Sequence, residues 1–385
     1  MPEGDTIYRA ARAMQRALGG KVVTGFETGL AKIARVNDDA PLVGRTVERV
    51  ESRGKWCLLY FSGDLILVTH MLMSGSWHLY RTGEKWWMGK DRMRVAITVG
   101  EGANSAAVEG VQEGGAGEAE PGVLATRSKI QGSFASVLRT PLRMTAQNKR
   151  QQQQAQQREQ RLPQQREQRQ PQPQDAGWQA VAFNVPVVEF HTARSLERSS
   201  QVPKLGPDVL SDEFTVEGGV ERMRGYGEEH PEAEVAVVLL NQRVLAGLGN
   251  VYKSEVAFAA GVNPFRAMRT ITDREMEVMV EKSQQWLRAN VIDGNSATGG
   301  DQIVTYSGNR RTTGRMDRAE RLWVYGRQGQ ECRRCGATVM MRKQGEQARS
   351  TYWCPECQPW VAAEGQSATA PVGGSVGSRR RKVGC

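Results

Sequence analysis

Apolar positions at the start of the chain recur at helical spacing: Ile7, Ala11, Met14 and Leu18 share one face, and Gly19-Gly20 stops the run. The period then shortens to that of strands. Segments 21–28, 46–52, 56–61, 65–69 and 92–99 are short, rich in β-branched or aromatic residues and separated by Gly, Asp or Ser, which predicts an antiparallel sandwich or barrel. Between about 100 and 177 the pattern vanishes, first into Gly, Ala and Glu and then into Gln with Arg and Pro. Such a composition cannot bury enough apolar surface to offset chain ordering, so a disordered insertion is expected there. Alternation resumes over Trp178–Phe190, with Val181, Phe183, Val185 and Val187 in step, so the insertion falls between neighbouring strands. Its length costs little, because closure entropy rises only logarithmically.

Helical patterning dominates after Pro231. Residues 232–240 and 250–260 read as helices joined by the glycine turn Ala246-Gly247-Leu248-Gly249. Thr272-Asp273-Arg274-Glu275 reads as a capping box that opens a third helix through about Ala289. Short strands carrying cysteines follow, and then a Gly/Ser/Ala-rich tail with the basic cluster Arg379–Lys382. The expected fold class is α+β: an N-terminal helix plus an antiparallel β-sandwich, then a C-terminal helical domain with a four-cysteine finger. The expected boundaries are 1–100 with 178–200 for the sandwich, 101–177 for the insertion, 201–320 for the helical domain, 321–358 for the finger and 359–385 for a disordered tail.

A chain of 385 residues is too long for one ordinary core. Its 52 Lys and Arg against 42 Asp and Glu leave a net charge of +10, which favours a polyanionic partner. The excess is local, since residues 301–357 alone hold 11 basic and 6 acidic side chains. No apolar run, the one at Leu65–Val68 included, approaches the ~20 residues that span a bilayer, so no membrane span is expected. The acidic start Met1-Pro2-Glu3-Gly4-Asp5 resembles neither a secretion signal nor a transit peptide, and secretion is not expected. Without a secretion signal, cysteine pairs read as metal ligands before disulfides.

Cys332-x-x-Cys335 and Cys354-x-x-Cys357 form two knuckles separated by 18 residues, the spacing of a structural zinc site with four thiolates and no open position. One structural zinc ion is therefore the expected cofactor. The basic residues among them (Arg333, Arg334, Arg342, Lys343 and Arg349) suggest that the metal braces a phosphate-contacting surface. Cys57 reads as a buried apolar thiol. A second signal is positional. If Met1 is removed, Pro2 offers a secondary amine at a helix start, where the dipole disfavours the ammonium, and Glu3 is placed to shuttle protons. A neutral amine there can attack a sugar C1′ to form a Schiff base. Pro and Glu also simply begin helices, so this pattern needs corroboration.

The corroboration is distributed. Met1-Pro2-Glu3-Gly4-Asp5-Thr6, Ser52-Arg53-Gly54-Lys55, His70-Met71-Leu72-Met73-Ser74-Gly75-Ser76-Trp77, Leu205-Gly206-Pro207-Asp208-Val209-Leu210, Ala246-Gly247-Leu248-Gly249-Asn250-Val251-Tyr252 and Arg349-Ser350-Thr351-Tyr352-Trp353-Cys354-Pro355-Glu356-Cys357-Gln358 occur in this order. Together with Leu239-Leu240-Asn241-Gln242, the set resembles the formamidopyrimidine-DNA glycosylase/endonuclease VIII family of base-excision repair enzymes. The resemblance covers nearly all of the chain outside 101–177 and the tail.

That resemblance implies a helix-two-turns-helix domain and a catalytic set in which Pro2 is the Schiff-base nucleophile, Glu3 the proton donor and acceptor, and Lys55 a contact to phosphate near the lesion. It further implies that Asn250 and Arg349 bind DNA phosphates and that Met73 wedges into the gap left by the extruded base. Read alone, Lys55 could be a solvated strand end, Asn250 a helix N-cap and Met73 core packing. Gly4-Asp5-Thr6 after Pro-Glu points to the endonuclease VIII-like branch and oxidised pyrimidines, with excision followed by β,δ-elimination. The 71–75 loop keeps an oxidised-purine glycosylase as an alternative, and a non-catalytic damage-binding protein is the alternative of another class. The expected partner is damaged DNA, with no membrane, bound by a monomer; the expected location is the nucleus for a eukaryotic source and otherwise the cytoplasm or nucleoid.

Overall fold

The computed structural model describes residues 2–100, 177–199, 202–292, 310–315 and 317–360. Helix α1 (Gly4–Leu18) leads into β1 (Val22–Thr28), α2 (Ala31–Asp39), β2 (Val47–Arg53), β3 (Trp56–Phe61), β4 (Leu65–His70), β5 (Ser76–Arg81), β6 (Met93–Gly100), β7 (Trp178–Phe183) and β8 (Val187–His191). The strands form two antiparallel four-stranded sheets, ordered β1-β6-β7-β5 and β2-β3-β4-β8. Period-two alternation decides what each face buries. Along β3, Cys57, Leu59 and Phe61 enter the core between the sheets, whereas Leu58 and Tyr60 face a second cluster with Ile66, Val68 and Leu196.

Helix α1 closes the sandwich by placing Ile7, Met14 and Leu18 in the same core. Burying each such side chain contributes about 1.5–3 kcal/mol, so the stripe read from the sequence suffices to hold α1 in place. Strand β6 ends at Gly100 and its direct neighbour β7 begins at Trp178, where Val99 pairs with Trp178. Residues 101–176, for which the sequence predicts a disordered insertion, lie outside the described residues, as does nearly all of the predicted tail.

The alternating run 178–190 is two strands rather than one. Asn184 adopts φ +50° and Pro186 follows, so the chain turns a corner from one sheet to the other. The alternation survives because both strands face the same core and the corner residue Val185 is itself buried there. Strand β5 and helix α2 are further elements that the sequence pattern did not resolve; only Ile33 of α2 is buried, which leaves no apolar stripe to detect.

The C-terminal part contains α3 (Ala193–Glu197), α4 (Val216–Glu229), α5 (Val235–Leu240), α6 (Asn250–Ala259) and α7 (Asp273–Ile292), followed by the hairpin β9 (Met340–Gln344) and β10 (Arg349–Trp353). The capping box at Thr272 is formed: its hydroxyl accepts from the Glu275 N–H at 3.2 Å while Glu275 accepts from the Thr272 N–H at 2.8 Å. Helix α5 is shorter than the predicted 232–240, since the Glu234–Ala236 backbone instead bonds to the 264–267 segment. Helix α4 escaped prediction because Gly218, Gly219, Gly225 and Gly227 depress its propensity; Gly219 lets it pack closely on Val280 of α7.

Candidate active site

The site forms where the start of α1 meets the glycine turn before α6 and the tip of the β9–β10 hairpin. Glu3 is the N-cap of α1. The Gly4 N–H donates to the Gly247 carbonyl at 2.8 Å, which clamps the first turn of α1 against the glycine turn. Gly247 has φ +105° and lies so near that a Cβ on Gly4 would come within 2.8 Å of its Cα. Gly249 caps α6, and a Cβ there would collide with Glu3 Cγ and Cδ. These contacts explain why two glycines frame this turn.

Glu3 is completely buried. Its Oε1 accepts from the Val251 N–H at 2.9 Å, at the start of α6, while Oε2 has no hydrogen-bond partner among the described residues. One oxygen is thus held by a helix N-terminus and the other is available for proton transfer beside the half-buried Pro2. Gly249→Ala should displace this carboxylate and slow base excision on the order of 100-fold, because misplacing a reacting group by about 1 Å costs that much. Single-turnover excision measures it, and an unchanged rate would show that the close approach does not matter.

Lys55 lies in the turn between β2 and β3. That turn is fixed from outside the sandwich, since the Gly54 N–H donates to Asp208 Oδ2 at 2.7 Å while Asp208 Oδ1 accepts from the Leu210 N–H. Burial lowers the Lys55 pKa to about 8 despite the opposing pull of Glu3, with Arg349 and Arg310 lowering it further. Lys55 therefore shares one electrostatic site with Glu3 and Arg349. Next to it, burial and then Lys55 push His70 down to about 4, and its Nδ1 accepts from the Leu72 N–H at 3.0 Å. His70 is consequently neutral with Nε2 as the donor, a role that residue type alone did not reveal.

Asn250 is the first residue of α6 and not its N-cap, which is Gly249. Its Nδ2 donates to the Ser350 carbonyl at 2.9 Å, joining the helix to β10 beside Arg349. Arg349 in turn bonds Gln347 and approaches Met73 Sδ at 3.7 Å. Met73 is 66% exposed and Leu72 beside it 46%, so these two side chains of the loop after β4 face outward, whereas Met71 packs in the core. Pro2, Glu3, Lys55, Asn250, Arg349 and Met73, which are scattered over 348 positions of sequence, thus converge on one site.

Beneath it lies a buried ionic cluster whose second member the sequence did not indicate. Asp5 accepts from Arg310 Nε and Nη2, both at 2.8 Å, and the guanidinium also reaches Thr6 Oγ1 at 2.9 Å. Burial alone would raise the Asp5 carboxyl, but the Arg310 charge and hydrogen bonds outweigh it and hold the group below its ordinary value.

The four cysteines gather at the opposite end of the finger. All four Sγ atoms lie within 4.8 Å of one another, with Cys332 to Cys357 at 3.8 Å and Cys335 to Cys354 at 3.4 Å. The cluster can hold a metal ion. Much of the nearby positive charge is committed to the finger's own structure, however: Arg333 binds the Leu322 and Ala319 carbonyls, Arg334 covers Phe258 and Arg342 covers Phe265 at 3.7 Å. Arg334 stays exposed over the Phe258 ring, Lys343 bonds the Ser350 hydroxyl, and Arg349 bonds Gln347. Cys57 is buried in the sandwich core, as expected.

Residues 1–109 match the model of the formamidopyrimidine-DNA glycosylase N-terminal domain, and residues 205–300 that of the formamidopyrimidine-DNA glycosylase H2TH domain. The chain belongs to the formamidopyrimidine-DNA glycosylase/endonuclease VIII family. Within the family it is 28% identical over 384 residues to the Streptomyces coelicolor protein named "Probable endonuclease 8 2", covering 99% of this chain and 100% of that one. It is 27% identical to the "DNA-(apurinic or apyrimidinic site) lyase Nei2" of Mycolicibacterium smegmatis, covering 93% and 99% respectively. Identity to the formamidopyrimidine-DNA glycosylase of Yersinia enterocolitica is 35% over 166 residues, but the match spans only 43% of this chain and 56% of that enzyme. The fold matches that of the Lactococcus lactis Fpg in complex with abasic-site DNA, with a TM-score of 0.59 at 17% identity, covering 93% of this chain and all of the other.

Proposed function

We propose that this family member is a bifunctional DNA glycosylase and AP lyase, with oxidised pyrimidines as its favoured bases. The observation that carries the proposal is the state of Glu3: fully buried, one oxygen anchored on α6 and the other without a partner, next to Pro2 at the head of α1. In the proposed reaction the Pro2 amine bonds to C1′ as the C1′–N bond to the damaged base breaks, with the bonding pair leaving on the base. Glu3 supplies and then recovers the protons needed for sugar-ring opening. The resulting iminium acidifies the C2′ hydrogens. β-Elimination then expels the 3′ phosphate, and δ-elimination the 5′ phosphate.

A flipped nucleotide must be held out of the stack while this occurs. Lys55, Asn250 and Arg349 supply phosphate contacts for that purpose, and Met73 is the wedge that replaces the extruded base. The four thiolates suit zinc: a tetrahedron with Zn–S bonds of about 2.3 Å has edges of about 3.8 Å, close to the observed sulfur separations. Zinc held there would brace the hairpin that carries Arg349. The proposed active form is a monomer on damaged DNA.

The pyrimidine preference is supported by relatives named endonuclease 8, which match almost end to end. The 71–75 loop, closer in sequence to the formamidopyrimidine branch, favours an oxidised-purine substrate as the second reading. Excision assays on duplexes containing an oxidised pyrimidine, an oxidised purine or an abasic site separate these. We expect cleavage of the abasic and oxidised-pyrimidine strands; faster release of the oxidised purine would reverse the preference, and binding without any strand cleavage would indicate a non-catalytic damage-binding protein.

A further inference from the structure

Lys253 has no part in the chemistry above, yet it is buried to 1% exposure on the first turns of α6. Asn250, Lys253 and Ser254 share the face of α6 that packs on β10, since residues three and four apart are neighbours on a helix. Asn250 Nδ2 donates to the Ser350 carbonyl and Ser254 Oγ accepts from the Tyr352 N–H at 3.3 Å, so Lys253 lies between two helix-to-hairpin bonds, level with Arg349. No hydrogen bond or ion pair to its Nζ is formed among the described residues.

Its electrostatic surroundings are unfavourable for an ammonium. Burial is the larger effect and the Arg349 charge adds to it, against the pull of Glu234 and Glu3, and the pKa falls to about 8. Both carboxylates are engaged elsewhere: Glu3 Oε1 with the Val251 N–H, and Glu234 with Gln344 Nε2 at 2.8 Å and Arg342 at 3.7 Å. A buried lysine beside another cation, with neither carboxylate paired to it among the described residues, is a costly arrangement. An anion placed between the two cations would relieve it.

We propose that Lys253 is a phosphate ligand of the bound DNA, sharing one backbone phosphate with Arg349 across the junction of α6 and β10. The inference rests on the reading that DNA occupies this site. The rival role is structural, in which Lys253 merely offsets the charge of Glu3 and Glu234.

Equilibrium binding of the full-length chain to a duplex containing a tetrahydrofuran abasic analogue, measured across a salt series, distinguishes the two roles. Each phosphate contact by a cation contributes about 0.9 to the slope of log K against log salt. Lys253→Met keeps the side chain's length while removing a buried charge, so the variant should retain the wild-type melting temperature and lose about 0.9 from the slope. Lys253→Arg should preserve the slope, as should the control Lys282→Met, which removes a half-buried lysine that bonds Gln285 on α7. A wild-type slope in Lys253→Met, with or without a lower melting temperature, would overturn the assignment, and so would a Lys253→Arg variant that lost as much slope as Lys253→Met. If the wild-type chain itself showed no salt-dependent binding to this duplex, the DNA reading beneath the proposal would fail instead.

Discussion

Glu3→Gln is expected to slow base excision by roughly 100- to 10,000-fold, the usual contribution of a positioned proton donor and acceptor. The substitution is nearly isosteric, and the amide oxygen can still accept from the Val251 N–H, so α1 should remain docked on α6. What is lost is the unpartnered oxygen proposed to carry the proton. Strand cleavage at a preformed abasic site should fall less, because that sugar already equilibrates with its open-chain aldehyde and Pro2 can attack without assistance at the ring oxygen. Single-turnover rates on a damaged-base duplex and an abasic duplex test both statements. Equal losses on the two substrates would mean that Glu3 acts on elimination rather than on base departure.

Arg310→Met is expected to destabilise the protein by about 3–5 kcal/mol, the cost of leaving a buried partner charge uncompensated. Asp5 and Arg310 are both almost wholly buried and form a two-pronged pair. Asp5 also accepts from the Tyr252 hydroxyl at 3.3 Å, so the loss would extend to α6. Replacing both members with apolar residues, as in Asp5→Leu/Arg310→Met, should recover much of the loss, because neither charge is then stranded. The pH dependence has a definite sign. The folded-state carboxyl titrates below its ordinary value, so the pair's stabilisation is present above about pH 4 and is lost as pH falls through the lower folded value. Denaturant unfolding at neutral pH and in acid reads both effects, and an Arg310→Met variant as stable as wild type would show that the pair contributes nothing net.

Local patterning carried much of the fold. Ile7, Met14 and Leu18 announced α1, the β-branched runs marked five strands to within a residue or two, and Thr272 with Glu275 announced α7. Helices α2 and α4 were missed for opposite reasons: one buries a single apolar residue, and the other is interrupted by glycines that serve its packing on α7. The corner at 184–186 was hidden because two strands in different sheets share one core, so alternation continues across the bend.

In the site, motif residues were legible because each occupies a sequence context of its own, as Pro2-Glu3 and Cys332-x-x-Cys335 do. Partnerships over long sequence distance were not. Nothing around Arg310 marks it as the counter-ion of Asp5, 305 positions away, and nothing around Lys253 marks it as buried beside Arg349. The basic residues of the finger show the same limit: charge content is visible in sequence, but only the fold shows that Arg334 lies over Phe258 and Arg342 over Phe265.

The central claim is that the amine of Pro2 becomes the covalent link to DNA. Borohydride reduction during turnover on an abasic duplex, followed by proteolysis and mass spectrometry of the cross-linked peptide, tests it most directly. The account predicts a reduced adduct on the peptide that begins at Pro2 and its disappearance when Met1 is retained; an adduct mapped to Lys55 or Lys253, or strand cleavage without any trapped adduct, would contradict it.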